Sequence, residues 1–200
     1  MTVTERPLAE AKRQAALDHV LTAARRFVIE NSLDATMDQL AEASGVSRRT
    51  LFRLFGTREK LIASGFRTAM DAYLRELPAY EGGTEHWLRA TCDAAHRMND
   101  SIGPGYWELA SRSELPPDLA AVQADLLHQW HTRISEITQT LWQASGGDDQ
   151  DPPAKLVTTV SAHLSSHFTA AVVTDARRDW QTASALAYEA ILTTLRQLTS

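Results

Sequence analysis

Residues 36–61 read TMDQLAEASGVSRRTLFRLFGTREKL. Met37 to Ala43 is a short helical pattern that closes at Gly45, the residue type that enters the left-handed region without steric cost. Ser47 stands where a second helix must begin, its side-chain oxygen able to accept the free N–H of Arg49 or Thr50. Leu51, Leu54 and Phe55 fall on one face of that helix, and Arg48, Arg49, Thr50 and Arg53 fall elsewhere. The small Ala41 lets two crossing helices approach closely, while Leu40, Val46 and Leu51 supply the core between them. Each cue is weak alone; in this order they read as a helix-turn-helix.

The complete run resembles the DNA-binding signature of the TetR family of bacterial transcriptional regulators. The likeness is close over the N-terminal part; beyond it, the all-helical layout and the total length are what match. In a major groove, the helix beginning at Ser47 turns its N-terminal residues to the base edges. Arg48 and Arg49 are the expected readers, with Thr50 beside them, because a guanidinium binds guanine O6 and N7 with two parallel bonds, about 1–3 kcal/mol of discrimination per pair. Either arginine can instead hold phosphate, which brings affinity without sequence information. The resemblance implies that Thr36 and the cation at position 58 clamp the flanking phosphates; both sit at helix N-termini, which favour anions. Arg58 replaces the family's more usual lysine and keeps the charge, and Arg53 is also assigned to phosphate. Phe52 replaces a common tyrosine and loses the hydroxyl that contacts phosphate, leaving apolar contact with sugar or a thymine methyl.

With 200 residues, 44% of them hydrophobic, the chain is long enough to bury a sizeable core. No run approaches the length of a membrane span, and Met1 to Arg13 lacks the apolar core of a secretion signal, so a cytoplasmic location is expected. The single Cys92 excludes an internal disulfide and a multi-cysteine zinc site, and reads as a small buried residue. The net charge of −5 is unevenly divided. Residues 1–60 carry ten basic and eight acidic side chains, and Ser44 to Lys60 five against one. A basic stripe on an acidic body suits a protein that touches phosphate with one end.

The rest reads as all-α, about nine helices in total. A long first helix from Leu8 to Glu30 carries Leu17, Val20, Leu21, Ala24, Phe27 and Val28 at helical spacing and should pack over the helix-turn-helix. Thr57 can cap a fourth helix from Arg58 to about Leu77, the evident mechanical link to the second half. Helices are then expected over 85–101, 105–113, 117–144, 152–174 and 179–198, separated by Gly- and Pro-rich breaks. The last two are apolar on more than one side, which points to a four-helix, two-fold homodimer interface. The expected division is a DNA-binding domain over residues 1–57 and a ligand-sensing, dimerising helical bundle over 58–200.

Tyr73, Trp87, Tyr106, Trp107, Trp130 and Phe168 come from helices surrounding that bundle's interior, with His96 and His131 as polar groups. They form a candidate pocket for an apolar or cationic small molecule, although any one large aromatic is more readily explained as core. His163 and His167 have chelating spacing with His128 and His131, but spacing without convergence is weak, and polar residues at a dimer seam explain them better. No metal or cofactor is expected. Phosphate loops, nucleophile elbows and His-Glu-x-x-His runs are absent from the sequence, and acids such as Glu108 and Glu114 read as solvated charges, which argues against an enzyme. The expectation is therefore a sequence-specific regulator, in the family's usual mode a repressor, released from an approximately palindromic operator by a small molecule. The alternatives are a helical ligand-binding or protein-interaction module without specific DNA binding and, more remotely, an enzyme.

Overall fold

The computed structural model describes residues 5–147 and 151–199, with side chains from residue 10. The described chain is entirely helical: α1 (Glu5–Glu30), α2 (Met37–Ser44), α3 (Arg48–Phe55), α4 (Arg58–Glu76), α5 (Thr84–Asp100), α6 (Pro104–Ser111), α7 (Pro117–Ala144), α8 (Ala154–His163), α9 (Ser166–Ala170), a π-helical turn (Ala171–Asp175) and α10 (Trp180–Thr199). The polar Gly-Gly loop expected after α7 lies partly outside the described residues.

One expected helix is two. The run over 152–174 breaks at Leu164–Ser165 and bends by 50°. Ser165 leaves the helical region (φ −71°, ψ 152°) and caps α9 by accepting the Phe168 N–H at 3.1 Å. The carbonyl of Leu164 at the break is taken by Asn99 Nδ2 at 3.2 Å, so the interruption leaves no buried acceptor unpaired there.

The chain forms two compact units: residues 1–71 with 103–126, and residues 72–102 with 127–200. The first is built on the helix-turn-helix. Val20, Ala24 and Val28 of α1 meet Leu40 of α2, Leu51 of α3 and Leu61, Ile62 and Phe66 of α4, all nearly fully buried. Leu109 of α6 and Leu119, Val122 and Leu126 of α7 join the same core. Short α2 and α3 cannot bury their apolar faces alone, so their stability comes from this packing. Gly105 and Gly103 lie directly against the Val28 and Ile29 carbonyls of α1, leaving no room for a Cβ.

The second unit packs α5, the later part of α7, α8, α9 and α10 around Leu88, Cys92, Ile137, Leu141, Leu156, Val160, Leu164 and Ile191. Tyr188 and Leu192, which widen the apolar face of α10, are buried within this chain. Leu186 remains the large apolar side chain that α10 exposes, at 46%. Among the described residues no single helix is long and apolar enough to cross a membrane, and the bent pair of α8 with α9 and the π turn that passes by length contributes Val160, Leu164 and Val172 to the interior.

Candidate nucleic-acid interface

The recognition helix is set by local chemistry at each end. Thr36 caps α2 in a reciprocal box: its oxygen accepts the Gln39 N–H at 3.3 Å, and Gln39 Oε1 accepts the Thr36 N–H at 2.7 Å. Gly45 (φ 67°) ends α2 with its N–H on the Ala41 and Glu42 carbonyls. Ser47 then caps α3 by accepting the Thr50 N–H at 3.2 Å, which resolves the choice between Arg49 and Thr50.

With Leu51 fully buried and Phe55 half-buried, the 100° step of the helix turns Arg48, Arg49, Phe52 and Arg53 outward. Leu54 was expected on the buried face and is instead 42% exposed, because the stripe narrows to Leu51 and Phe55 on so short a helix. Arg49 and Arg53 make no hydrogen bond or ion pair within the described residues. Arg48 is engaged: its Nη1 donates to Asp38 Oδ2 at 2.9 Å, and its guanidinium carbon lies 5.4 Å from the centre of the Phe52 ring. The hydroxyls of Ser47 and Thr50 bond each other at 2.9 Å. Thr36 is exposed, its hydroxyl also donating to Gln39 Oε1 at 3.0 Å.

Arg58 does not stand free beside this face. Its Nη1 donates to the carbonyls of Leu33 and Ala35 at 3.0 and 3.1 Å, and its Nε to Glu59 at 2.9 Å, so it braces the loop between α1 and α2. Lys60, in the first turn of α4, is exposed and unpaired among the described residues; its place in the basic run was the signal for it. Asp38 and Gln39 escaped the sequence reading, although Thr-x-x-Gln is a capping-box pattern.

The same loop is held from α6. Glu108, read as a solvated charge, is half-buried and accepts the Ser32 hydroxyl at 2.9 Å, the Leu33 N–H at 2.8 Å and Arg112 Nη2 at 2.9 Å. Arg112 also forks onto Asp34 at 2.7 and 2.6 Å, which holds the Asp34 carboxyl below the usual carboxylate range.

The candidate ligand residues are divided between the two units. Tyr106 and Trp107 belong to the first unit, where their rings meet edge to face at 5.4 Å. In the second unit Tyr73 and Trp130 pair edge to face at 5.6 Å. His96 is fully buried, bonds Thr169 Oγ1 through Nδ1 at 2.8 Å and lies 5.8 Å from the Phe168 ring; burial pushes its pKa down to about 4. His131 is exposed. A cavity of about 90 Å³ is lined by Trp87 and Thr91 with Leu77, Pro78, Arg133 and Ile137 among others, and Trp87 alone of the eight candidates reaches it. Among the described residues no group of three or more His, Cys, Asp or Glu side chains is placed to hold a metal ion, so the four histidines do not assemble a chelate.

A capped helix-turn-helix with an outward arginine face, carried by an otherwise helical chain, defines a helix-turn-helix DNA-binding protein. Residues 20–64 match the family model for bacterial regulatory proteins of the tetR family. The fold over nearly the whole chain is similar to solved structures of regulators, TetR-family members among them. A putative transcriptional regulator from Rhodococcus sp. is 18% identical with TM-score 0.68, covering 90% of this chain and 99% of that one. A regulator from Streptomyces coelicolor is 18% identical with TM-score 0.63, covering 100% and 83%. The fatty acid degradation regulator FadR from Bacillus halodurans is 16% identical with TM-score 0.60, covering 88% and 97%. No curated protein matches in sequence. The chain thus has the DNA-binding domain and the fold of a TetR-family transcriptional regulator.

Proposed function

We propose that this protein binds an approximately palindromic operator as a cytoplasmic homodimer and represses transcription until a small apolar or cationic effector releases it. The observation that carries the reading is the outward face of α3, where Arg49 and Arg53 have no partner among the described residues and Phe52 is 42% exposed. Arg48, Arg49 and Thr50 face bases in this reading, while Thr36, Ser47 and Arg53 face phosphate and Phe52 supplies apolar contact. The brace made by Arg58 favours Lys60 as the mobile phosphate contact at the start of α4. Functionally, residues 1–57 hold the reader and residues 58–200 the sensing and dimerising parts.

One reader makes few contacts, whereas a two-fold dimer places two in major grooves about 34–36 Å apart or further if the DNA bends. The exposed Leu186 on α10 supports an interface there. The effector acts only through unequal affinity for the DNA-competent and DNA-incompetent arrangements. Mobility shift on genomic fragments tests the core of the reading: binding should be sequence-selective, weaken steeply with salt, and lose selectivity when Arg48 and Arg49 are both changed to Ala. Leu186→Glu should yield monomers by sedimentation and abolish operator binding. Selective binding by a monomer overturns the dimer mechanism, and binding without selectivity favours an interaction module.

A further inference from the structure

Resting on that reading, we infer that Asp38 positions Arg48 to read a guanine in each operator half-site, with Phe52 as the platform on which the guanidinium lies. Arg48 and Asp38 are both well exposed, their side chains 57% and 68% accessible, so the ion pair between them adds little to stability. A carboxylate beside the reading helix is also a liability near a polyanion unless it directs something. What it directs is the arginine fork. With Nη1 donating to Asp38 Oδ2 at 2.9 Å, the Nε–Nη2 edge is left free. The two N–H groups of that edge run parallel and match the paired acceptors O6 and N7 of guanine, whereas adenine offers one acceptor beside a donor.

The ring of Phe52, one turn along α3, lies against the same guanidinium with its centre 5.4 Å away. The pair of contacts limits the rotations of a long side chain and lowers the entropy lost when it meets a base. Asp38 further biases Arg48 away from the backbone, because a phosphate approaching that guanidinium meets the carboxylate too. Arg53 has no such partner among the described residues and is suited to phosphate, where orientation matters less. The phenylalanine that costs a phosphate-binding hydroxyl therefore serves the base reader.

The test uses the full-length protein and the duplex it enriches from a randomised pool, with each half-site base pair replaced singly and affinities read by fluorescence anisotropy at low and moderate salt. One G·C pair per half-site should lose about tenfold or more in affinity when changed to A·T. Arg48→Ala should erase that preference and keep the others. Asp38→Asn, which preserves size, should reduce the preference at the same pair several-fold while raising affinity for mismatched duplexes and steepening the salt dependence, as the released arginine turns to phosphate. Asp38→Glu should restore part of it. Unchanged discrimination in Asp38→Asn, or equal weakening of every duplex by Arg48→Ala, overturns the proposal. If Asp38→Asn melts below wild type, Phe52→Leu decides, since loss of the platform without any change of charge must reduce the same preference and its retention overturns the proposal. Failure to enrich any duplex sinks the DNA-binding reading itself; enrichment with no guanine dependence on Arg48 sinks only this inference.

Discussion

Glu108→Ala should destabilise the helix-turn-helix unit although Glu108 lies far from it in sequence. The carboxylate accepts Ser32 Oγ, the Leu33 N–H and Arg112 Nη2. Arg112 would keep its fork on Asp34, and the half-buried Ser32 hydroxyl can turn to water. Leu33 is only 1% exposed, and an unpaired buried donor costs about 1–3 kcal/mol. Adding the lost charge-assisted bonds brings the total to about 2–3 kcal/mol, a fall in Tm of roughly 5–10 °C for a chain of this size. Glu108→Gln keeps an acceptor for Leu33 and gives up the charge facing Arg112, and should cost about 1 kcal/mol. Circular-dichroism melts measure the total, and amide hydrogen exchange over residues 31–36 locates it. Glu114→Ala is the control, because Glu114 is exposed and such changes stay within about 0.5 kcal/mol. Equal effects of Glu108→Ala and Glu114→Ala, or unchanged exchange over the loop, would refute the clasp.

Gly105→Ala should be destabilising by about 1–3 kcal/mol in urea unfolding, because the new methyl meets the Val28 backbone carbonyl rather than a side chain that can swing away; wild-type stability would mean that α1 and α6 can separate freely. His96 stays neutral in the folded protein to about pH 4, whereas unfolded it protonates near 6.5. The unfolded state binds more protons between those values, so stability should fall as pH drops through that window, by about 3 kcal/mol in all, and His96→Gln should flatten that part of the urea-midpoint profile. Burial pushes the Cys92 thiol up to about 12, so a thiol reagent at pH 8 should label it only as fast as the protein opens, and quickly in denaturant; rapid native labelling would contradict its full burial.

The helix-turn-helix was readable because its determinants are close in sequence. Gly45 closes α2, Ser47 opens α3 and Leu51 anchors it, each acting on neighbours within one or two turns. The outward arginine face follows from the same periodicity, as does the helical character of the later segments. The break at Ser165 was less visible, since serine is tolerated inside helices as well as at caps. What accompanies the break here is Asn99 on the Leu164 carbonyl and His96 on Thr169, from 65 and 73 residues away. Likewise nothing in Leu109 or Val122 says which of two cores it will join.

Sequence by itself determined where most helices start and stop, though not the break at Ser165, and that one short helix presents arginines outward, because capping and periodicity depend on residues a few positions apart. Tertiary structure decided what the charged side chains do. It gave Arg58 to the carbonyls of Leu33 and Ala35, set Glu108 at the centre of a clasp and left Arg49 and Arg53 without a partner among the described residues. A long ionic side chain takes whichever partner the fold brings within about 3 Å, and that partner can come from any point along the chain.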